Sequence, residues 1–446
     1  MEGSTRRTSW RAAVALLLSL LMTVGLAATA GPAGASGASG AGRDAPAQAG
    51  GPTPIIFVHG YLGSGAQYQD QAQRFASNGI PAERIRAFDY NLTATGLDQF
   101  IDSVRREFGV EKVHVAAHSL GTVQMLFYLL NATQAAKVDG YVALDGVSAI
   151  CLYGTRCASI SAASLGQTHI EASLSPESFA RQFQHFYGRP PQTTQITPTP
   201  GTIEIGGRVL NFQVNTPAAG TQVEVWPIDG DTGARQGSQP VHRFTVGADG
   251  NFGPLDVQQG QPYEIQLSRS GAGVIHVYYQ PWLRSSYLLR VQALEPGSAV
   301  VDNTNVGPNH AAGVVLRYKE WWRASSHGSQ REDLTVSVNS EAGDVAPRNV
   351  LERVTNDVAG IHIHDDTASP RQTTLDPLPY FSSQAFQTGV DVYMPASGNA
   401  PNGTITFSNN HRGNAAQRQV INIPNWPSMI NGTRHGFLVE FNSYVQ

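Results

Sequence analysis

The chain has 446 residues, a formal net charge of −4, only 14% charged residues, and 46 glycines with 26 prolines. This length suits two or three domains, and the weakly acidic balance argues against a nucleic-acid partner, because nucleic acids bind basic surfaces. So many glycines and prolines indicate a chain rich in turns and strands.

The N-terminus has the features of a secretory signal peptide. A basic stretch, MEGSTRRTSWR, precedes a short apolar run, AAVALLLSLLMTVGL, and small residues at 28–30 or 33–35 offer a cleavage site. The alternative is a membrane anchor, but the run is short for one. We therefore predict a signal peptide over 1–30, a Gly/Ala-rich linker over 31–51, and a secreted, extracellular protein with no transmembrane anchor after signal removal.

Residues 52–190 alternate between buried strands and amphipathic helices. The apolar stretches PIIFVHG, RIRAFDY, KVHVAA and KVDGYVALDG predict strands, and the stretches between them have helical apolar spacing. Continuous apolar strands that alternate with helices are typical of a parallel sheet covered on both faces. The predicted fold class is α/β, with a mostly parallel sheet and helices on both faces.

Beyond a Pro/Thr-rich linker at 191–201, the apolar period changes to two. Short strands with Gly and Asp turns predict a β-sandwich over 202–285 and a second all-β domain over 286–446. Two aromatic clusters, HVYYQPWLRSSY and YKEWWRASSH, allow two interpretations. Their rings are either exposed and hold an insoluble substrate, or they belong to an ordinary β core.

The stretch VHVAAHSLGTVQMLFYLL passes from a buried strand into a helix at Ser119. Such a corner is typical of a nucleophile elbow, in which small residues two positions before and after the serine permit a tight turn. Ala117 and Gly121 satisfy this requirement, although the motif AHSLG has Ala where G-x-S-x-G has its first Gly. The alternative is a serine that only caps the helix.

An acyl-transfer site also needs two backbone donors for the developing oxyanion. The stretch IIFVHGYLG ends an earlier strand in His59 and Gly60, and a loop follows. The predicted donors are the N–H groups of Tyr61, directly after this pair, and of Leu120, directly after the serine. His59 is expected to shape the loop rather than to act as a base.

An acid and a base are expected after the nucleophile, in the order Asp or Glu and then His. Asp145 ends the next apolar strand, at the sheet edge that carries Ser119, and is preferred over Asp89, which precedes the nucleophile. His169 lies in a loop before the final helix, whereas His185 lies within that helix and off its apolar face. We predict that Ser119, Asp145 and His169 form a triad.

Cys151 and Cys157 are the only cysteines. In an extracellular chain they predict a short-loop disulfide, with two free thiols as the alternative, and a zinc site would need further ligands nearby. The alternating triple His362, His364 and Asp366 places three polar side chains on one strand face. A polar surface face is the favoured interpretation of this triple over a metal site.

The motifs HGYLG, AHSLG, LDG and THIEASLSPESF follow one another in the order of the α/β-hydrolase superfamily and resemble those of secreted microbial lipases. The layout, a small hydrolase followed by all-β units, is similar to an archaeal long-chain lipase whose β domain binds lipid. The resemblance implies that Ser119 is the nucleophile, His169 the general base and acid, and Asp145 its orienting carboxylate, with no metal or cofactor. Lipases of this kind usually have a large lid, whereas here a short lid is expected over 146–166, stapled if Cys151 and Cys157 pair.

These features together predict a secreted serine hydrolase of carboxylic esters, most specifically a triacylglycerol lipase or esterase acting on a lipid or other ester substrate, including one at an interface. One alternative is an extracellular polyester depolymerase with the same triad. The other is a non-catalytic binding or adhesion protein with a degenerate hydrolase domain, which leaves the elbow and the histidine unexplained.

Overall fold

A five-stranded parallel sheet organises the N-terminal part of the structure. The computed structural model describes residues 50–91 and 95–444, so the predicted signal peptide and the linker up to residue 49 lie outside the described residues. The strands are β1 (Ile55–Val58), β2 (Ile85–Phe88), β3 (Val113–His118), β4 (Val138–Leu144) and β5 (Arg156–Ile160). Their order is β2-β1-β3-β4-β5, and every neighbouring pair is parallel.

Helices cover both faces of this sheet. They are α1 (Gln69–Ser77), α2 (Leu97–Phe108), α3 (Leu120–Leu129), α4 (Ala132–Ala135), α5 (Ala162–Leu165) and α6 (Pro176–Tyr187), with 3-10 turns at Gly65–Tyr68, Ala82–Arg84 and Glu171–Ser173. Alternate residues of each strand point to opposite faces of the sheet. Helices α2 and α3 pack against the side chains of one face, and α1 and α6 pack against those of the other face. Ser175 caps α6, which begins at Pro176 and buries Phe179, Phe183 and Phe186 along one face.

The rest of the described chain is almost entirely β-structure. Its strands are β6 (Thr202–Asn211), β7 (Gln222–Pro227), β8 (His242–Thr245), β9 (Asn251–Gln258), β10 (Tyr263–Arg269), β11 (Gly273–Tyr279), β12 (Ser286–Ala293), β13 (Gly313–Leu316), β14 (Asp333–Asn339), β15 (Val345–Asn349), β16 (Gly360–His364), β17 (Gln387–Asp391), β18 (Thr404–Asn410), β19 (Arg418–Pro424), β20 (Met429–Ile430) and β21 (Thr433–Glu440). Short helices lie at α7 (Ala299–Asn303), α8 (Ala324–His327) and α9 (Pro379–Ser382), and 3-10 turns at Gly328–Gln330, His411–Gly413 and Ala415–Gln417.

Strand pairing crosses the predicted domain boundary at 285/286. The largest sheet runs β17-β16-β13-β21-β11-β10-β7-β8, with β20 paired to β21, and so takes strands from both sides of that boundary. β12 follows the boundary but pairs in parallel with β6, in a three-stranded sheet with β9. A four-stranded sheet, β15-β14-β18-β19, completes the β region. The β region, defined as residues 202–444, is therefore connected by shared sheets.

The β region also packs directly on the α/β part. Leu288 of β12 is buried in the same core as α1 and α6. Asp89, at the end of β2, has a fully buried carboxylate that pairs with Arg290 at 2.8 Å and with Arg208 at 3.2 Å. These arginines hold the pKa of Asp89 below its ordinary value, although burial acts in the opposite direction. Asp89 and the two arginines thus form a structural ion-pair cluster that joins the α/β part to the β region. Loss of the Asp89 carboxylate or of its arginine partners would leave an uncompensated buried charge.

The segment predicted as a lid is shorter than expected. Residues 156–160 of the predicted lid, 146–166, form β5, the edge strand of the parallel sheet. A disulfide joins Cys151 to Cys157, with a Cα–Cα distance of 6.2 Å. It ties the loop to β5, and Ile150, Leu152 and Tyr153 are exposed beside it. Of the predicted lid, residues 146–155 therefore remain as a loop before β5, and residues 161–166 contain the short helix α5.

The aromatic clusters of the β region belong mainly to its core. Tyr278, Tyr279, Trp282 and Trp321 are all buried. Of the two interpretations of these clusters, the β core therefore applies to these four residues, whose buried rings cannot hold an insoluble substrate at the surface. None of the helices in the described ranges combines the length and apolar character needed to cross a membrane.

Candidate active site

The candidate nucleophile Ser119 lies on a strained corner between β3 and α3. Its φ and ψ are 51° and −117°, a conformation that costs a non-glycine residue about 1–3 kcal/mol. A Cβ at Gly121 would stand 2.7 Å from the carbonyl oxygens of Val58 and His59, so the close approach of α3 to β1 requires glycine there. The local sequence AHSLG thus permits a turn that raises the serine hydroxyl above the sheet edge.

The structure brings Ser119, His169 and Asp145 together. The Oγ of Ser119 lies 2.9 Å from Nε2 of His169, and Nδ1 of His169 lies 2.6 Å from Oδ2 of Asp145. A carboxylate only accepts hydrogen bonds, so Nδ1 of His169 carries the proton. Nε2 is then free to accept a hydrogen bond from the hydroxyl of Ser119. This arrangement can move a proton from Ser119 to the imidazole and stabilise the imidazolium that results.

Asp145 is held in place from both sides. Its Oδ1 accepts a hydrogen bond of 2.8 Å from the N–H of Ala162, at the start of α5, while Oδ2 faces His169. Burial alone would raise the pKa of Asp145, but the hydrogen bonds from His169 and Ala162 outweigh it and lower that pKa below its ordinary value. Asp145 is therefore ionised at neutral pH and fixes the imidazole orientation.

A chain of buried hydrogen bonds supports the backbone of His169. His118 lies directly before the candidate nucleophile, and its Nε2 donates to the carbonyl oxygen of His169 at 3.0 Å. The side-chain amide of Gln67 donates to Nδ1 of His118 at 3.0 Å and to Oγ of Ser173 at 2.6 Å, and Ser173 donates to Ile170. Burial lowers the pKa of His118 well below its ordinary value, so it stays neutral and keeps these roles. His118 thus positions His169 instead of acting as a second base.

The predicted oxyanion donors belong to two segments that meet at Ser119. Tyr61 and Leu120 both flank the serine corner, and a Cβ at Gly60 would lie 2.9 Å from Cβ of Ser119, which shows how closely this loop approaches. Among the described residues, no acceptor is hydrogen-bonded to either backbone N–H. His59 shapes the loop, because it stacks on Tyr90 at 4.1 Å between ring centroids and accepts from the Tyr90 N–H.

The cavity in front of Ser119 lies between the α/β part and the β region. Its open volume, which includes solvent at its mouth, is about 770 Å³. Its walls combine Leu62 and Ile170 of the α/β part with Phe212, Gln292, Phe386 and Gln387 of the β region. Sequence reasoning missed the residues of the β region, since no local motif marks them.

Phe386 is the β-region residue that approaches the candidate triad most directly. Its ring stacks on the imidazole of His169, with centroids 5.9 Å apart and 16° between the ring planes. Its φ is 58°, which is strained for an aromatic residue and costs about 1–3 kcal/mol. Strained residues of this kind cluster at functional sites. The sequence gives only a weak signal for the position of Phe386 at the site, because it is a single phenylalanine in the loop before β17.

The remaining candidate histidines lie away from the serine. Nε2 of His185, near the C-terminal end of α6, donates to the carbonyl oxygen of Arg156 at 3.1 Å. His362 is buried rather than on a polar surface, stacks on Phe381 at 3.8 Å, and bonds to Gln387 at 2.9 Å. The expectation of an exposed face for His362 and His364 is therefore wrong. Across residues 50–91 and 95–444, no three His, Cys, Asp or Glu side chains are grouped so as to hold a metal ion.

Comparison with known families gives two matches in the β region. Residues 201–296 match the family described as "Lipase C-terminal domain", and residues 299–445 match a family whose description reads "-like, C-terminal domain". The first match shows a lipase-related domain within the β region.

Similar solved structures include proteins of several kinds. A hydroxyquinol 1,2-dioxygenase from Pseudomonas putida shares 14% identity over 22% of this chain and 57% of its own, with a TM-score of 0.16. An extracellular α/β-hydrolase from a Paenibacillus species shares 11% over 22% of this chain and 43% of its own, with a TM-score of 0.18. A Bacillus licheniformis lipase in propeptide form shares 10% over 84% and 93%, with a TM-score of 0.21. The chain thus spans less than two thirds of the first two, and these TM-scores are too low for any inference.

Proposed function

We propose that the protein is a secreted serine hydrolase of carboxylic esters, most specifically a triacylglycerol lipase or esterase. The observation that carries the proposal is the contact of Ser119 Oγ with His169 Nε2 at 2.9 Å, continued by His169 Nδ1 to Asp145 Oδ2 at 2.6 Å. The match of residues 201–296 to a lipase C-terminal domain supports the choice of ester substrates.

The reaction follows from the positions of these groups. Ser119 attacks the ester carbonyl carbon while Nε2 of His169 takes its proton, and Asp145 stabilises the imidazolium. The N–H groups of Tyr61 and Leu120 donate to the oxyanion of the tetrahedral intermediate. The imidazolium then gives its proton to the departing alcohol, and an acyl-enzyme remains. Water, activated by the same imidazole, attacks this ester and releases the acid and the serine.

The cavity supports a substrate with an apolar acyl group. Leu62, Ile170, Phe212 and Phe386 line it beside the serine, and apolar walls favour the burial of hydrocarbon. The amide side chains of Gln292 and Gln387 in the same walls offer hydrogen bonds to an ester or alcohol group.

A fluorophosphonate probe tests the proposal, together with hydrolysis of p-nitrophenyl esters of increasing chain length. We expect native protein to be labelled and Ser119→Ala to be neither labelled nor active. A folded native protein that is not labelled and hydrolyses no ester would instead favour the binding or adhesion protein. Secretion is tested separately, by N-terminal sequencing of the protein recovered from the culture medium of cells that express the full chain.

A further inference from the structure

The segment that carries His169 is contacted by two different parts of the chain. On one side, His118 donates to the backbone carbonyl of His169, as described above. On the other side lies Glu320, a residue of the β region that follows β13 by four positions. Glu320 is 1% exposed.

Glu320 accepts hydrogen bonds from residues on both sides of His169. Its Oε1 accepts from the backbone N–H of Ile170 at 2.8 Å. Its Oε2 accepts from the hydroxyl of Thr168 at 2.6 Å and from the backbone N–H of Glu171 at 3.3 Å. One carboxylate therefore fixes the residue before His169 and the two residues after it, so it restricts the backbone from which the imidazole projects.

The buried carboxylate of Glu171, whose backbone N–H donates to Glu320, also has partners from the β region. Glu171, also buried, accepts a hydrogen bond from the hydroxyl of Tyr444 at 2.9 Å and pairs with the guanidinium of Arg412. The ammonium group of Lys319 lies 3.9 Å from the same carboxylate. All three partners come from the β region, so one tyrosine hydroxyl and two cationic side chains anchor the histidine segment there.

Glu320 is not among the residues that line the cavity in front of Ser119. Its hydrogen bonds reach Thr168, Ile170 and Glu171, the residues that flank His169. Through these bonds it restricts the position of the imidazole, with which its carboxyl group also interacts electrostatically. A displacement of about 1 Å at a catalytic group can reduce the rate by about 10²-fold.

We propose that Glu320 is a positioning residue for His169, so that the β region completes the catalytic site and is not a separable substrate-binding attachment. This inference rests on the proposed function. The β region then has to be docked through the hydrogen bonds of Glu320 before His169 can take the proton of Ser119. A substrate of any acyl length should depend on it equally, because the carboxylate acts on the base and not on the substrate.

Full-length Glu320→Gln, Thr168→Val and their double variant test the inference by steady-state kinetics on a short and a long p-nitrophenyl ester. We expect kcat to fall by about 10-fold or more in each single variant, because a misplaced catalytic group reduces the rate of the chemical step. KM should stay within about 2-fold of the native value, because substrate binding is not altered. The double variant should lose little more than the worse single variant, because both substitutions disturb the same contact between Thr168 and Glu320. Thr168→Ser, which keeps the hydroxyl, should retain more activity than Thr168→Val.

Glu264→Gln is the matched control, since Glu264 is a fully buried carboxylate of the β region whose partners are Arg235 and His276. We expect it to lower the melting temperature without lowering kcat. Folded Glu320→Gln with native kcat, or fully additive losses in the double variant, would overturn the inference. If Glu320→Gln fails to fold, an unchanged kcat in folded Thr168→Val is by itself sufficient to overturn the inference. Native protein without fluorophosphonate labelling would instead refute the proposed function.

Discussion

Replacement of Asp145 by Asn tests the geometry of the candidate triad in detail. Oδ1 of Asp145 faces the N–H of Ala162 at 2.8 Å, and Oδ2 faces Nδ1 of His169 at 2.6 Å. An amide has one acceptor and one donor end. If its nitrogen faced Ala162, two donors would meet, and the unmade buried hydrogen bond would cost about 1–3 kcal/mol. The amide oxygen therefore faces Ala162, and the amide nitrogen faces His169.

This orientation reverses the imidazole tautomer. Nδ1 must accept from the amide nitrogen, so Nε2 carries the proton and cannot receive that of Ser119. The corresponding exchange in a serine protease lowers kcat about 10⁴-fold, which is about 5.4 kcal/mol of activation free energy. We expect Asp145→Asn to lose kcat on p-nitrophenyl esters to that extent, with KM little changed. A loss of less than about 10-fold would refute the assignment of Asp145.

The same variant has a pH signature in stability. Because the pKa of Asp145 is lowered in the folded protein, its contribution to stability is present above the unfolded pKa and is lost as the pH falls through the folded value. The difference in melting temperature between native protein and Asp145→Asn should therefore be largest near neutral pH and shrink in acid. A difference that grows in acid would contradict this reasoning.

Three further outcomes follow from other contacts. Gly121→Ala should abolish fluorophosphonate labelling and lower stability by about 1–3 kcal/mol, because its Cβ would lie 2.7 Å from two backbone oxygens at the end of β1; native labelling would contradict this. Replacing Cys151 and Cys157 by Ser should cost about 2 kcal/mol of unfolding free energy in denaturant titrations while kcat stays within a few-fold; loss of kcat in folded protein would show a catalytic role for the loop. Burial, and then Asp70, raise the pKa of Glu440 to about 8, so native stability should fall as the pH rises from 4.5 toward 8, and Glu440→Gln should flatten that fall in thermal denaturation.

The candidate nucleophile and its partners could be predicted because each has a local signal. Ser119 sits where an apolar strand changes to helical spacing, Asp145 ends the next strand, and parallel strands bring their carboxyl ends to one edge. The apolar face of α6 indicates that His185 points away from the sheet, so the sequence favours His169 as the base. The structure places these three within hydrogen-bond contact.

The contribution of the β region could not be predicted in the same way. Glu320 and Phe386 contact the histidine segment across 150 residues or more of intervening chain, and neither belongs to a motif. Likewise, an edge strand such as β5 carries half-exposed residues and a cysteine, so its pattern is indistinguishable from that of a loop. Periodicity reports which face of an element is apolar but not which distant element covers it.

Trapping the acyl-enzyme tests the central claim most directly. Native protein is mixed with a p-nitrophenyl ester, quenched in acid during the initial burst, and digested for mass spectrometry. We predict a burst of p-nitrophenol equal to the concentration of active sites and an acyl adduct on the peptide that contains Ser119, with neither in Ser119→Ala. Hydrolysis without an adduct on that peptide, or an adduct on another side chain, would contradict the account.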